Sequence, residues 1–435
     1  MQKEVMVVGG GLAGCEAAWQ LAERGIQVNL YEMRPQRMTP AHKTNGLAEL
    51  VCSNSFKSQD SANAHGLLKQ EMRALNSFIL SAAEKAKIPA GSALAVDREL
   101  FSKEITEKIK DHPSIRLIRQ EVSTLSADCY QIIATGPLTA PALEQVLIQV
   151  IGSQDCYFYD AISPIVDAAS INYESVFKAS RYQQGAGDYL NCPLNEEQYQ
   201  NFIKTLLSSD QYPLHTFEEP RYFEGCLPIE EMARRGEQSL AFGPMKPVGL
   251  VDPRTQRRPY AVVQLRAENH PATMYNLVGF QTRMRHGEQK RIFSMIPGLE
   301  RAEYFRYGGI HRNTYIHSPK HLTPFLQLKK IPSVFIAGQL TGVEGYMEST
   351  AMGLLTGLYL SKLIRNQPPE VPPATTALGG LTRYLQEGGK NGFQPMNINF
   401  GLLPPLPDVP KHSQRQLLIK RAQQDLYEWK ERMGD

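Results

Sequence analysis

The sequence has few of the features that would place it outside the ordinary soluble proteins. Only 6 of its 435 residues are cysteine and 2 are tryptophan. No cysteines have the CxxC spacing of a zinc or redox site, so we expect free thiols and no bound metal. No run of about 18 apolar residues is free of charge, as a membrane helix requires. The first strand-like segment, residues 3–8, leaves no space for a secretion signal. We therefore expect a cytoplasmic protein that uses neither a membrane nor a metal.

Net charge is also small, because 47 Lys and Arg residues offset 44 Asp and Glu residues, but its distribution is uneven. Residues 221–320 contain 16 basic and 9 acidic residues. Such a basic segment is typical of a surface that binds a polyanion such as nucleic acid. A solvated face with helix-spaced ion pairs explains the same composition, so charge alone leaves both interpretations open. If the segment faces RNA, the candidates for phosphate contacts are Arg254, Arg257, Arg258, Arg283 and Arg285.

The start of the chain has the pattern of a βαβ unit. Residues 3–8 resemble a buried strand, 12–24 an apolar helix and 26–32 a second strand. A charged helix is predicted over 96–110. Further buried strands are predicted at 130–134 and 333–337, and the latter precedes a long apolar helix over 343–365. A helix is also expected near the C-terminus.

A chain of 435 residues is long enough for more than one domain. Residues 166–304 mix short helices with strands and are predicted to form an inserted α/β domain. We therefore predict an α/β protein whose Rossmann-type domain is discontinuous, with residues 1–165 and 305–435 on either side of the insert.

The turn after the first strand has the spacing of a dinucleotide-binding loop. Gly9, Gly11 and Gly14 form G-x-G-x-x-G between a strand and a helix, with Gly10, Leu12 and Ala13 between them. The first glycine permits a tight turn, the second admits a pyrophosphate to backbone N–H groups, and the third lets the helix pack on the strand. Glu32 ends the second strand, where a carboxylate can accept hydrogen bonds from ribose hydroxyls.

NAD, FAD and S-adenosylmethionine all bind to such turns, so a second feature must distinguish them. FAD needs a further contact region for its flavin half, far along the chain. Residues 132–136 and 334–339 are apolar strands that end in small residues, and a helix follows the second. This pattern favours FAD, and the additional predicted contacts are Gly136, Gly338, Gln339, Gly345, Glu348 and Ser349. For Glu348 two interpretations stay open, a contact to the flavin or substrate and an ordinary acidic residue at the start of the helix.

Several longer segments together resemble one family. They are residues 31–35 (YEMRP), 48–55 (AELVCSNS), 223–228 (FEGCLP), 242–250 (FGPMKPVGL) and 342–349 (GVEGYMES), with 311–313 (HRN) and 393–397 (FQPMN). From residue 3 to about 405 the chain resembles the folate- and FAD-dependent tRNA (uracil-C5) methyltransferases called TrmFO, which are similar in fold to GidA-type flavoproteins. The resemblance implies methylenetetrahydrofolate as one-carbon donor, NADPH or NADH as electron source, and the T-loop uridine (position 54) of tRNA as acceptor. It also adds Arg34 to the expected cofactor contacts.

The implied reaction indicates which cysteines matter. C5 of uracil becomes nucleophilic once a thiolate adds to C6, and a base must later remove the C5 proton. Cys52 and Cys226 are the cysteines inside the family's motifs. The resemblance implies Cys226 as nucleophile and Cys52 as base or second thiol, although the two roles can be exchanged. The remaining cysteines are expected to be small packed residues: Cys15, Cys129, Cys156 and Cys192.

Other interpretations stay open. The same chemistry can act on a ribosomal RNA uridine, or a GidA-like flavoprotein can serve another tRNA modification. An RNA-binding module that holds FAD structurally would not need Cys52 or Cys226, and an ordinary flavin reductase would not need the basic insert. His311 and Arg312 are either contacts to the cofactor or an ordinary packed histidine and surface arginine.

Overall fold

The computed structural model describes residues 4–152, 158–182, 187–212, 227–267, 272–388, 393, 395–406 and 410–434. For 158–162, 310–313 and 411–412 only the backbone is described. Cys156 and Cys226 lie outside these ranges. Within them, no helix is both long and apolar enough to cross a membrane.

The described strands and helices alternate along most of the chain. The strands are β1 (Val5–Val8), β2 (Val28–Tyr31), β3 (Ser55–Ser58), β4 (Lys87–Ile88), β5 (Ala93–Val96), β6 (Ile115–Ile118), β7 (Gln131–Ile133), β8 (Phe158–Ile162), β9 (Ile165–Asp167), β10 (Phe177–Ala179), β11 (Tyr189–Leu194), β12 (Ala261–Ala267), β13 (Met274–Leu277), β14 (Tyr304–Arg306), β15 (Gly309–Asn313), β16 (Gln327–Leu328) and β17 (Ile331–Ile336). The helices are α1 (Leu12–Ala22), α2 (Ala64–Ala74), α3 (Phe78–Lys85), α4 (Arg98–Asp111), α5 (Pro141–Ile151), α6 (Glu196–Leu207), α7 (Ile229–Arg234), α8 (Ser239–Phe242), α9 (His286–Phe293), α10 (Ser318–His321), α11 (Tyr346–Ile364), α12 (Ala377–Glu387) and α13 (Lys411–Met433).

The first sheet has the strand order β16-β17-β7-β1-β2-β6 and is parallel except for β16. Val8 of β1 and Ile336 of β17 both pair with Ile133 of β7. The carboxyl ends of these three strands therefore meet at one edge of the sheet. The chain segments that follow β1, β7 and β17 are the three segments predicted to contact FAD, and the register of the sheet brings them together.

Helix α11 is a central element of the part of the protein that contains the first sheet. Most of its residues are buried, which agrees with the apolar pattern of its sequence on all sides. It packs tightly on α1, since a Cβ at Gly353 would lie 2.3 Å from the carbonyl oxygen of Ala13. The predicted helix over 343–365 begins later than expected, because Gly342 and Gly345 have φ of 87° and 113° and form the turns that precede it.

A second sheet is built almost entirely from the middle of the chain. Its order is β10-β11-β12-β13-β9-β14, and all of its pairs are antiparallel. One face is covered by α6, α7 and α9, around a core that includes Tyr199, Phe202, Phe280 and Phe293. The sheet spans residues 165–306, close to the predicted insert of 166–304, whose division from the rest of the chain stays a prediction.

Some elements differ from the pattern-based expectation. The segment 96–110 was expected to be helical throughout, but Val96 ends β5 and the helix begins at Arg98. The Asp97 side chain accepts hydrogen bonds from the N–H groups of Glu99 and Leu100 and so caps α4. The small sheet β3-β5-β4 and helices α2 and α3 have no counterpart in the sequence expectations.

Buried Glu71 on α2 predicts a pH-dependent component of stability. Its carboxylate accepts hydrogen bonds from Ala377 N at 2.7 Å and Leu378 N at 2.8 Å, at the start of α12. Burial raises the pKa of Glu71 from 4.5 to about 8, against the opposing effect of these donors. As pH rises from 4.5 toward 8, the unfolded chain loses this proton before the folded protein does, so the free energy of unfolding falls.

We expect Glu71→Gln, which remains neutral, to lose this pH dependence. Urea unfolding between pH 5 and 8 should show the wild type losing up to about 4 kcal/mol relative to the variant. Exposed Glu99 provides the control, and Glu99→Gln should follow the wild-type profile. Parallel profiles for the wild type and Glu71→Gln would show that Glu71 is ionised in the folded protein throughout this range.

Candidate functional site

A cavity of about 410 Å³ lies between the meeting point of β1, β7 and β17 and the second sheet. Gly11, Gly136, Gly338 and Gln339 line its first wall. Cys52, Lys57 and the start of α11, including Gly345 and Ser349, line a second wall, and Arg266 and Asn276 belong to the second sheet. A smaller cavity of about 70 Å³ shares Gly11 and His42 with it and extends to Glu32 and Arg34 at the end of β2.

The glycine turn connects the two cavities, and its glycines are required for different reasons. A Cβ at Gly14 would lie 1.8 Å from the carbonyl oxygen of Gly9, so only glycine lets α1 begin here. Gly9 has a φ of +108°, a conformation that favours glycine. A Cβ at Gly11 would meet nothing within 4 Å, because it would project into the cavity. Gly11 is the N-cap residue of α1, so the positive end of this helix is directed at that space.

Glu32 is held as a charged carboxylate beside the glycine turn. It accepts hydrogen bonds from Gly10 N at 3.0 Å, Arg34 N at 2.9 Å and Arg34 Nε at 3.0 Å. Burial acts to raise the pKa of Glu32, but the hydrogen bonds and charge of Arg34 outweigh it and the pKa is lowered. Arg34 also pairs with Glu49 at 2.8 Å. Two carboxylates thus compensate the charge of Arg34, and its predicted contact with the cofactor stays a prediction.

The loop that contains Cys52 is fixed by long-range hydrogen bonds. The Tyr346 hydroxyl oxygen accepts from Cys52 N at 2.9 Å and from Ser53 N at 3.2 Å. Arg306 of β14 donates to the carbonyl oxygens of Val51 and, at 3.1 Å, Cys52. These partners come from α11 and from the second sheet, so Cys52, which lines the cavity, is held by elements on both of its sides.

Two more arginines complete this support. Arg98 of α4 donates to the carbonyl oxygen of Leu50. Arg266 of β12 donates to Ser53 Oγ at 2.7 Å and to Asn54 Oδ1 at 2.9 Å. Sequence reasoning missed Arg98, Arg266, Arg306 and Tyr346. Arg266 had one usable signal, since it is the one charged residue in segment 261–267, which is apolar except for Gln264, and Tyr346 lies inside a family motif.

Glu348, expected as either a flavin or substrate contact or an acidic residue at a helix start, has several partners within the protein. Its side chain is 1% exposed and lies 3.7 Å from Lys57 Nζ and 3.4 Å from His65 Nδ1. It also accepts a hydrogen bond from Ile398 N at 3.2 Å. Burial acts to raise the pKa of Glu348, but Lys57 and His65 outweigh it and lower the pKa to about 2. This ionised carboxylate joins the start of α11 to β3 and to residues 395–399, and its contact with a cofactor stays a prediction.

The remaining residues singled out in the sequence differ in where the structure places them. Cys15 and Cys192 are fully buried, and burial raises the pKa of both thiols. His311 and Arg312 lie on β15, opposite Asp160 and Tyr159 of β8, and their side chains are outside the described part. The nucleophile candidate Cys226 is outside it altogether. Three of the basic candidates form ion pairs: Arg254 with Asp252, Arg283 with Glu231, and Arg285 with Asp210.

The described residues fit FAD. The N-terminus of α1 offers backbone donors to a pyrophosphate, and the open position at Gly11 leaves space for it. The ionised Glu32 stands where the adenosine ribose binds in this type of fold. The larger cavity then has room for the flavin ring between Gly338 and the second sheet.

These features define a Rossmann-type flavoprotein, and comparisons identify its family. The family model described as "Glucose inhibited division protein A" matches residues 4–368. A solved GidA structure from Aquifex aeolicus superposes with a TM-score of 0.69, covering 98% of this chain and 74% of that one, and its 14% identity supports the fold alone.

Curated relatives are much more similar in sequence. The Geobacter sulfurreducens protein named methylenetetrahydrofolate–tRNA-(uracil-5-)-methyltransferase TrmFO is 54% identical over 431 residues, which is 99% of both chains. The protein of the same name from Desulforudis audaxviator is 52% identical over 438 aligned positions and 100% of both chains. The chain belongs to the TrmFO family of methyltransferases, within the GidA-type fold.

Gly11 and Gly14 provide a test of where the cofactor binds. Gly11 has φ −81° and ψ −171°, which a β-branched residue readily adopts. We expect Gly11→Val to fold with an apoprotein melting temperature near that of the wild type but to lose FAD, because the side chain fills the pyrophosphate space. Absorbance at flavin wavelengths and thermal denaturation measure the two effects.

Gly14→Val is the contrasting variant. Its side chain would collide with the backbone of Gly9, so we expect a protein that does not fold. A full flavin spectrum in purified Gly11→Val would contradict the placement of FAD at this turn.

Proposed function

We propose that this protein transfers the one-carbon unit of methylenetetrahydrofolate to C5 of the T-loop uridine of tRNA. The names of the similar proteins support methylation of tRNA uracil at C5. The observation that carries the proposal for this chain is the position of Cys52. This thiol of a family motif lines the same cavity as Gly11, Gly338 and Gln339, next to the space that fits FAD.

Different residues of the chain act in different steps of the proposed reaction. The glycine turn and Glu32 bind and orient FAD. Cys226 adds to C6 of the uracil, which makes C5 nucleophilic, and C5 then forms a bond to the one-carbon unit. Cys52 removes the C5 proton as the bond from the one-carbon unit to the folate nitrogen breaks and tetrahydrofolate leaves. Cys226 is released from C6 when the methylene is reduced, which restores the C5–C6 double bond. Cys52 is kept at a fixed position for this transfer, because its N–H donates to Tyr346 and its carbonyl oxygen accepts from Arg306. Arg266 holds the neighbouring Ser53 and Asn54. When bound, FAD supplies the reducing equivalents that convert the transferred methylene to a methyl group, and NADPH or NADH renews them.

The second sheet and its helices carry features suited to RNA. Arg257 and Arg258 are exposed. A row of rings runs from Tyr304 through Tyr307 and His286 to Tyr212, with centroids 5.0, 4.7 and 6.0 Å apart. Aromatic rings can stack on unpaired bases, and exposed basic residues can contact phosphates. This combination supports RNA binding better than an ordinary flavin reductase, which would need neither feature.

The contribution of Arg257 and Arg258 can be measured through salt dependence. Arg254 is paired with Asp252 at 2.7 Å, so the two neighbours are the better phosphate candidates. We expect the double substitution Arg257→Glu and Arg258→Glu to weaken tRNA binding and to reduce the slope of log K against log salt by up to about two. Flavin reduction by NADPH should be unchanged.

The matched control reverses Lys108 and Lys110, which are exposed on α4 near the first sheet. This variant should bind tRNA with the wild-type slope. If the two double variants change the slope equally, the change in slope comes from net charge, and the RNA surface is not centred on the insert.

The thiol roles are tested by trapping the covalent intermediate. We expect Cys226→Ser to abolish methyl transfer with FAD still bound, because a hydroxyl is scarcely ionised at neutral pH. RNA that contains 5-fluorouridine cannot lose a proton at C5, so it should remain covalently attached to the nucleophile. Peptide mapping identifies the cysteine that carries the RNA. Attachment to Cys226 supports our assignment, and attachment to Cys52 exchanges the two roles.

The control and the substrate arms complete this experiment. Cys129→Ser should remain active, since Cys129 belongs to no family motif. An adduct on neither Cys52 nor Cys226, or full activity of the double alanine variant, would contradict thiol catalysis. Mass spectrometry of digested RNA then identifies the acceptor: 5-methyluridine in tRNA supports the proposal, whereas product only in ribosomal RNA, or a different modified uridine, favours the competing functions.

A further inference from the structure

Asn276 on β13 has a feature that the proposed reaction does not yet use. Its side chain lines the larger cavity, and the residue is only 3% exposed. The amide nitrogen Nδ2 is buried and has no hydrogen-bond partner in the described part of the protein. A buried donor without a partner is unfavourable and is rare in folded proteins. Asn276 lies in the cavity wall, and rotation of its amide group about the terminal side-chain torsion turns Nδ2 toward the cavity, where a ligand can supply the acceptor.

The surroundings of Asn276 restrict the chemistry of that ligand. Asn276 stands directly opposite Arg266 in the pairing of β12 with β13. Arg266 donates to Ser53 and Asn54, so its charge is directed at the Cys52 loop. Gln281, another neutral amide, lines the same cavity. A neutral ligand group with both an acceptor and a donor matches this wall better than a carboxylate or phosphate would.

We propose that Asn276 is a specificity-determining residue that binds the lactam edge of a ring cofactor or co-substrate. Nδ2 donates to the ring carbonyl oxygen, and the side-chain oxygen accepts from the adjacent ring N–H. This inference rests on the proposed function, in which two small molecules carry such an edge: the pterin of the folate and the pyrimidine part of the flavin. The shared chemistry is the –NH–C(=O)– group, and separate titrations distinguish its source.

The test compares two substitutions at Asn276 with a matched residue. Asn276→Leu removes both hydrogen-bonding groups at similar size, and Asn276→Asp replaces the donor with an acceptor. The control is Asn191, also buried on the second sheet, whose Nδ2 donates to the carbonyl oxygens of Phe177, Ala179 and Tyr189. We expect Asn191→Leu to lower the melting temperature of the apoprotein, and Asn276→Leu to leave it unchanged or to raise it.

Ligand affinity is then measured in two arms. FAD is titrated into the apoprotein, and tetrahydrofolate is titrated into the FAD-loaded protein and followed by calorimetry. We expect both Asn276 variants to bind one of these two ligands about 10- to 100-fold more weakly than the wild type and to bind the other with near wild-type affinity. Of the two variants, Asn276→Asp should have the lower affinity. Loss in the first arm assigns the flavin edge, and loss in the second assigns the pterin.

Three results would overturn the inference. They are wild-type affinity for both ligands in both variants, a melting-temperature loss in Asn276→Leu equal to that in Asn191→Leu, and an effect seen only on binding of uridine-containing RNA. Failure of the proposed function is recognised separately. A wild-type protein that binds FAD and tetrahydrofolate but methylates no RNA refutes the reaction, and the titrations still decide the role of Asn276.

Discussion

The close approach of two helices to the strand ends is the constraint on which the rest of the site depends. Helix α1 can begin directly after β1 only because Gly14 has no side chain to meet the carbonyl group of Gly9. Helix α11 can lie against α1 only because Gly353 faces the backbone of Ala13. Both helix N-termini are thereby brought to the carboxyl edge of the parallel sheet. The two cavities occupy the space in front of that edge, so a side chain at either glycine would disturb the fold and the binding space together.

The second half of the site depends on polar contacts rather than on close packing. The Cys52 loop is held by Arg98, Arg266 and Arg306, which donate to its carbonyl and side-chain oxygens. An arginine presents several donors in a rigid plane, so it fixes an irregular loop better than a lysine would. Two of these arginines come from the second sheet. The position of the thiol therefore depends on how that sheet packs against the first, which explains why one cavity is lined by both.

Local patterns predicted the parts of this arrangement that are local in sequence. The glycine turn, Glu32, the buried strands and the long apolar helix α11 are each specified by residues within about 20 positions of one another, which is the range that periodicity and motif spacing cover. The supports of Cys52 are not: Arg266 and Ser53 are 213 positions apart, and Arg306 and Cys52 are 254 apart. Composition indicated a basic middle segment, but it left open whether the arginines there contact RNA or form ion pairs, as Arg254, Arg283 and Arg285 do in the structure. The pattern of a strand followed by a helix left Glu348 as either a cofactor contact or an acidic residue at the helix start, and only the structure shows that its carboxylate lies against Lys57 and His65.

Buried polar groups divide the site into a part that is complete and a part that is not. Glu32 and Glu348 are ionised and have several partners each, so their desolvation is compensated within the protein and they hold the walls in place. Asn276 differs, because its buried donor has no such compensation among the described residues. A group of this kind destabilises the protein on its own and is stabilised when a ligand with the complementary group binds. The first sheet and the Cys52 loop are thus arranged before any ligand binds. The cavity wall at Asn276, by contrast, reaches its lowest free energy only when a ligand is bound. Because Asn276 lies on β13, we place ligand discrimination on the second sheet.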